Sequence, residues 1–137
     1  MKAVVDTNVI AYFLLGTEGF REECEWFWRE VRNPMAPASW EAEITNVLWM
    51  ATRKGVVDLP EALHRLVLAK GLGIRSVTVS SLWSGALARA HASGIAAYDA
   101  LFVELADREA VPLASFDEAV IKAFPHLAMR PSGMRSK

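Results

Sequence analysis

A chain of 137 residues with 53% hydrophobic content, one cysteine and a formal net charge of −1 is long enough for one well-filled domain and hardly for two. The single Cys24 excludes an internal disulfide framework and a Cys-rich metal centre, and no apolar run reaches the ~18 residues that a membrane span needs. The near-balance of 15 Lys+Arg against 16 Asp+Glu gives no global signature of a nucleic-acid-binding protein. The opening MKAVVDTNVIAYFLL has the outline of a signal peptide, but Asp6 and Asn8 interrupt its apolar stretch and no clean cleavage site follows. The chain is therefore expected to be soluble, unprocessed and cytoplasmic, the reducing compartment that suits a lone thiol.

Short β-branched runs alternate with helical patterns along the chain, which predicts α/β architecture with a parallel sheet. Lys2 to Val5 reads as a buried central strand, and Val9 to Leu15 as a helix. A second helix is predicted over Glu18 to Val31, where Phe20, Cys24, Phe27 and Val31 recur at helical spacing; Asn33-Pro34 stops it. Met35 to Ala38 is a short strand. Ser39 is placed to cap a helix from Trp40 to Lys54 with Ile44, Val47, Leu48 and Ala51 inward, and Gly55 closes it. Leu59-Pro60 opens a helix that runs to Lys70. Arg75 to Val79 is a strand, Ser80 or Ser81 caps a helix to Ala92, and Tyr98 to Glu109 is helical. Val111 to Ala114 is a strand, Asp117 to Ala123 a short helix and Leu127 to Met129 an edge strand. The expected fold is a three-layer α/β/α domain over residues 1–131 around a parallel sheet of four to five strands. The polar stretch 132–137 is expected to be a frayed tail.

In a parallel α/β sheet, ligands bind beyond the carboxyl ends of the strands, where the strand order reverses. Asp6 follows the first strand directly and Asp117 lies just past the Val111 strand. Asp99 begins the helix that leads into that strand, and Glu43 lies in the first turn of its own helix beside the inward Ile44. If the first and the Val111 strands are neighbours, these four acids share one crevice. Grouped carboxylates repel each other and require protons or a cation; hard oxygen donors suit Mg²⁺ or Mn²⁺. Each acid also has a plain structural reading. Asp6 and Asp117 can cap helices, while Glu43 and Asp99 can sit favourably on helix dipoles. Glu41 rivals Glu43, but two residues on a helix are turned about 200° apart, so only one of them faces the site.

These residues resemble a known family. VVDTNVIAYFLL, ASWEAEITNVLWMA and IAAYDALFVELADREAVPLASFDEAV are similar, in order and across nearly the whole chain, to the three sequence blocks of PIN domains. The small size further resembles the VapC-type toxins of prokaryotic toxin–antitoxin pairs. The resemblance implies a metal-dependent endoribonuclease with Asp6, Glu43, Asp99 and Asp117 as metal ligands and catalytic acids, supported by Thr7, Asn8 and Ser115. It implies Mg²⁺ or Mn²⁺ as cofactor, RNA as substrate, a homodimer and a neutralising antitoxin whose tail covers the acids from a cradle near Phe20–Val31 and Glu61–Lys70. Ser115 stands where Thr is more usual in the family, which keeps the hydroxyl, and Asp117 occupies the most variable ligand position.

Two other function classes compete. A catalytically silent PIN fold would serve as an RNA-binding or protein-interaction module, and the presence of all four acids argues against it. A phosphotransfer protein of the haloacid-dehalogenase type needs Asp-x-Asp where residues 6–8 read Asp-Thr-Asn; the receiver type needs an acidic pair before that Asp and a late Lys, neither of which is evident. His64, His91 and His126 have no metal spacing and are expected at the surface. The five tryptophans are expected to pack in the core or against a partner rather than to stack bases. Trp26 and Trp28 cannot both point inward, which predicts an exposed apolar patch in that helix.

Overall fold

The computed structural model describes residues 1–135, and Ser136 and Lys137 lie outside the described residues. The elements in chain order are β1 (Lys2–Val5), α1 (Thr7–Leu15), α2 (Arg21–Glu30), β2 (Asn33–Pro37), α3 (Trp40–Arg53), α4 (Leu59–Lys70), β3 (Arg75–Val77), α5 (Trp83–Ser93), α6 (Ala97–Glu109), β4 (Leu113–Ala114), α7 (Glu118–Ala123), β5 (Ala128–Met129) and α8 (Pro131–Met134). The five strands form one sheet in the order β3-β2-β1-β4-β5, and every pairing is parallel. Helices α1 to α4 pack on one another, while α5 and α6 pair separately and α6 lies against β1, β2 and β4. This is the expected three-layer α/β/α arrangement.

The chain moves from β1 outward to β2 and β3, then crosses back to β4 on the other side of β1. The order therefore reverses at β1, and its carboxyl end opens onto the crevice where parallel sheets bind ligands. Val4 pairs with Leu113 and Val5 with Ala114, so Asp6 and the segment Ser115–Asp117 leave the sheet side by side. Ala3, Val4 and Val5 are fully buried, as a central strand covered on both faces requires.

Several boundaries differ from the expectation, each for a local reason. Helix α1 starts at Thr7, because the Asp6 side chain already accepts from the Thr7 N–H. Helix α2 starts at Arg21, not Glu18: Gly16 closes α1 in the left-handed region and Gly19 also has positive φ, so residues 16–20 form a turn. Strand β3 stops at Val77, where a 3-10 turn over Val79–Ser81 begins. Helix α5 then starts at Trp83 without a serine cap. Ser39 precedes α3 but makes no capping bond. Strand β4 is only Leu113–Ala114, since Ala110 turns the chain in the left-handed region.

The expected fraying of 132–137 is corrected for its described part. Pro131–Met134 forms a helix with Pro131 and Met134 buried. Glu23 on α2 holds it by accepting from the Ser132 N–H at 3.0 Å and pairing with Arg130. Met134 is a core side chain hidden among polar neighbours.

Helices α5 and α6 approach very closely. Glu104 on α6 is buried and accepts from Arg89 Nε at 2.7 Å and from Arg108 Nε at 2.5 Å; Arg89 also pairs with Asp107. The two guanidinium groups hold the Glu104 carboxyl below its usual pKa, against the upward push of burial. The carboxylate lies on the α5 backbone at Gly85, where an added Cβ would fall 2.4 Å from Glu104 Cδ.

Candidate active site

Asp6, at the carboxyl end of β1, is 5% exposed. Its Oδ1 accepts from the Thr7 N–H at 2.8 Å, and its Oδ2 accepts from the Ser115 hydroxyl at 2.7 Å. Burial nevertheless raises its pKa from 3.8 to about 7, outweighing both hydrogen bonds; the nearby Asp99 and Glu43 charges push in the same direction. A carboxylic acid out of water favours its neutral form unless a counter-charge is present.

Thr7 connects Asp6 to the second acid. Its hydroxyl donates to Glu43 Oε1 at 3.0 Å. Glu43 is half-buried on α3, and its Oε2 is buried without a hydrogen-bond partner, as is the Ser39 hydroxyl. Burial raises the Glu43 pKa; the Thr7 and Ser39 hydroxyls oppose this, the latter without reaching hydrogen-bonding geometry, and Asp99 adds to the rise. Glu41 is exposed on another side of α3, beside a separate hollow with Thr45 and Lys70. The structure thus brings Glu43, not its neighbour, to Asp6.

Asp99 sits in the first turn of α6. Its carboxylate accepts no hydrogen bond from any described residue, so it is not a capping acid. Burial raises its pKa first and the Asp117 charge second. Asp99 is the common neighbour of the group, since it repels Asp6, Glu43 and Asp117 alike. Asp117 does cap α7: its Oδ1 accepts from the Ala119 and Val120 N–H groups, at 2.9 and 3.3 Å. Its Oδ2 has no such partner, so capping leaves one oxygen of Asp117 free.

Ser115 and Asn8 fix the turn that carries Asp117. The fully buried Ser115 hydroxyl donates to Asp6 and accepts from the Asp117 N–H at 3.0 Å and from Asn8 Nδ2 at 3.5 Å. Asn8 Oδ1 accepts from the Phe116 N–H at 3.1 Å. All seven residues singled out in the sequence are therefore accounted for. Asp6, Thr7, Asn8, Glu43 and Asp99 line one open cleft of about 350 Å³; Ser115 and Asp117 stand directly behind and beside it.

The cleft also contains residues that the motif reading passed over: Ala11, Tyr12, Leu15, Thr17 and Val47. The signal was available. Asn8, Ala11, Tyr12 and Leu15 recur at i, i+3, i+4 and i+7, the spacing of a single helix face, and Val47 lies one turn beyond Glu43. None of the three histidines is near, and all are exposed.

Among the described acids that are buried or half-buried, Glu23 and Glu104 have a cationic partner and the four site acids do not. Glu23, Glu30, Glu61, Glu104, Asp107 and Glu109 each form an ion pair with an arginine. Among the described residues, Asp6, Glu43, Asp99 and Asp117 form none. Nor do any three His, Cys, Asp or Glu side chains form a ready cage for one metal ion. An open site of one or two carboxylates with water completing the shell is the arrangement that Mg²⁺ accepts. The partnerless Glu43 Oε2 and the buried Asp6 carboxyl without a cationic side chain beside it are oxygen donors of the kind such an ion takes, so the residues present fit it.

Comparison with known proteins agrees with the architecture. Residues 3–126 match the PIN domain family. Among solved structures, the Pyrobaculum aerophilum protein PAE2754 superposes with a TM-score of 0.71 at 15% identity, covering 98% of this chain and 86% of that one. VapC20 of Mycobacterium tuberculosis, a sarcin-ricin-loop-cleaving toxin, gives 0.66 at 16% identity over 88% of this chain and 94% of its own. The VapBC2 complex of Rickettsia felis, bound to a promoter DNA fragment, gives 0.66 at 13% identity, covering 95% of this chain and 98% of that one. At these identities the likeness is one of fold. No curated protein matches the chain by sequence.

Proposed function

The chain belongs to the PIN-domain family, and from that premise we propose that it is a Mg²⁺- or Mn²⁺-dependent endoribonuclease, the toxin of a VapBC-type toxin–antitoxin pair. The observation that carries this reading is the set of four carboxylates, unpaired with any cation in a fold whose other buried or half-buried acids are paired. Asp6, Glu43, Asp99 and Asp117 would hold the ion between them, one or two directly and the others through its water shell. Bound there, it would lower the pKa of a coordinated water and neutralise charge on the phosphate. The chain's own groups preorganise that site. Ser115 and the Thr7 N–H each hold one Asp6 oxygen, Thr7 Oγ1 turns Glu43 toward it, and Asn8 fixes the Ser115–Asp117 turn. Preset donors of this kind spare the reorganisation that solvent would need.

The test is cleavage of RNA by the purified protein with Mn²⁺, with Mg²⁺ and with EDTA, alongside calorimetric Mn²⁺ titration. Cleavage is expected only with metal, and metal binding in the millimolar range or tighter. Asp99→Asn is expected to weaken both, with a loss of about 10²–10³ in rate, the scale of removing a group that stabilises transition-state charge. EDTA-resistant cleavage unchanged in this variant would overturn the metal mechanism. A catalytically silent PIN fold has one observation on its side, the lack of three converging ligands among the described residues, and it predicts no cleavage under any of these conditions.

The same reading gives the chain a cytoplasmic location, a second copy of itself and an antitoxin as partners. Among the described residues, no helix is long and apolar enough to cross a membrane. The apolar surface that supports association is not on α2, as the sequence suggested: Trp26 and Trp28 are both half-buried, and Trp28 packs on Phe13 and Phe27. It lies on α4, where Leu59, Leu63 and Val67 form an exposed stripe, and around Trp83, Leu87 and Tyr98 on α5 and α6. These last three border a hollow of about 510 Å³ without a charged lining residue. An exposed apolar patch of this kind marks a contact surface, and the same patch on two copies suits a two-fold contact. Sedimentation is expected to show a dimer at micromolar concentration, and Trp83→Glu to convert it to monomer. A wild-type monomer would remove the dimer from this account.

A further inference from the structure

The acidic cleft changes chemistry along its length. Helix α1 presents Thr7 and Asn8 at its start, then Ala11, Tyr12 and Leu15; α3 presents Glu43, then Val47 one turn later. Both helices thus lead from the carboxylates toward an apolar end, each turn adding roughly 5 Å. Thr17, just past the Gly16 turn, borders that end.

Tyr12 is unusually well fixed for a half-exposed side chain. Phe20 stacks on its ring at 4.4 Å with 29° between planes, and Phe116 lies at 5.4 Å. Phe116 in turn meets Phe20 edge-on at 4.8 Å, and the Arg130 guanidinium lies over both phenylalanines. Phe116 is also the residue between Ser115 and Asp117, anchored by Asn8. The aromatic wall is therefore built on the same turn as the acids. Neither the Tyr12 hydroxyl nor the Thr17 hydroxyl hydrogen-bonds to another described residue.

We propose that the apolar end of the cleft is a nucleobase subsite, in which Tyr12, backed by Phe20 and Phe116, contacts the base of a nucleotide next to the phosphate held at the acidic end. This rests on the reading of RNA as substrate. Stacking on a fixed aromatic ring recognises any base by its face. Val47 and Leu15 complete the slot, and the free Tyr12 and Thr17 hydroxyls are available to a base edge, the means by which unstacked bases are told apart. An apolar peptide side chain would fill the slot but leave both hydroxyls unused. A rigid ring also costs less ordering on binding than a flexible side chain.

Fluorescence anisotropy tests this with labelled mixed-sequence single-stranded RNA nonamers and with nonamers of the same ribose-phosphate backbone lacking every base, both with Ca²⁺ present. Cleavage is followed separately with Mn²⁺. Wild type is expected to bind the RNA more tightly than the baseless strand. Tyr12→Ala is expected to lose about 5- to 100-fold on RNA, the range for one base–aromatic contact, and little on the baseless strand. Tyr12→Phe keeps the stack and retains affinity, while Tyr12→Phe with Thr17→Val flattens preferences among nonamers of single base composition. Tyr12→Leu, which fills the space without a ring, separates stacking from folding and should behave as Tyr12→Ala. Equal losses on both strands, or none, would overturn the subsite while Mn²⁺-dependent cleavage kept the nuclease reading. Base-dependent binding through Tyr12 without cleavage would keep the subsite and overturn the nuclease reading. If wild type binds neither strand and Tyr12→Ala instead weakens a complex with a protein partner, the slot is a protein-docking surface and the proposal falls.

Discussion

Asp6→Asn is expected to abolish RNA cleavage and, in the same protein without metal, to increase stability. The two effects have one cause. Asp6 has a pKa of about 7 in the folded chain, against 3.8 as its ordinary value. Below pH 3.8 the carboxyl is protonated whether the chain is folded or not, and it costs nothing. As pH rises toward 7 the unfolded chain releases the proton while the folded chain keeps it, so folding becomes progressively less favourable. Above 7 the full penalty applies, about 4 kcal/mol by proton linkage. Asparagine removes the charge. It keeps an acceptor for the Thr7 N–H, but its amide must meet a Ser115 oxygen already used by Asp117 and Asn8, which returns part of the gain. Denaturant unfolding in EDTA should show the variant about 1–3 kcal/mol more stable at pH 8, with the order reversing toward pH 4, where the charge penalty is gone and the cost of the misplaced amide remains. Saturating Mn²⁺ should reverse the order, because the ion stabilises only the wild type. Cleavage by the variant should fall at least about 10³-fold. A variant destabilised at pH 8 in EDTA would mean that the Asp6 charge is compensated by something other than metal.

Gly85→Ala is expected to destabilise the fold by about 1–3 kcal/mol, the opposite of its usual effect. Alanine in place of a helical glycine ordinarily gains up to about 1 kcal/mol in a helix interior, and less in a first turn such as that of Gly85. Here the new methyl would meet the Glu104 carboxylate at 2.4 Å, and that carboxylate is pinned by Arg89 and Arg108. It must leave the α5 backbone and loosen at least one of these bonds in a half-buried setting. In a Glu104→Ala background the obstruction is gone, so Gly85→Ala should become neutral or stabilising. Thermal unfolding of the two single variants and the double variant reads this directly. Additive losses would show that Gly85 matters for a reason other than the room it leaves for Glu104.

Much of the site was legible because it is written in local pattern. A β-branched run ending in an acid predicts a strand with a carboxylate at its carboxyl end, and Asp6 is there. What local pattern cannot state is which strands are neighbours. Convergence of Asp6 with Asp117 followed only once β1 was seen between β2 and β4. The choice of Glu43 over Glu41 likewise depended on the rotation of α3, fixed by the burial of Ile44 and Leu48. The errors came where composition and geometry part company. The apolar period of α2 runs on through Phe20, yet Gly16 and Gly19 had already turned the chain. The tail looked polar because its anchoring contacts, Glu23 to Arg130 and Met134 to the core, join residues about a hundred positions apart or sit among polar neighbours. Tryptophan number suggested surface exposure on α2, whereas Trp28 found cover on Phe13.

The central position of β1 has a consequence for how the protein is made. β1 is synthesised before the other strands and finds β2 after about one further helical hairpin of synthesis, but its other edge must wait for Leu113 and Ala114. Ser115, which fixes Asp6, is 109 residues away in the chain. Until then the nascent chain carries an open strand edge, a hazard for mispairing, and closing it requires one of the longest loops the fold contains, a slow step by contact order. The acidic centre is consequently among the last parts to be completed. A truncated product ending before β4 would hold Asp6, Glu43 and Asp99 in its sequence and lack the Ser115 hydroxyl that fixes the second Asp6 oxygen.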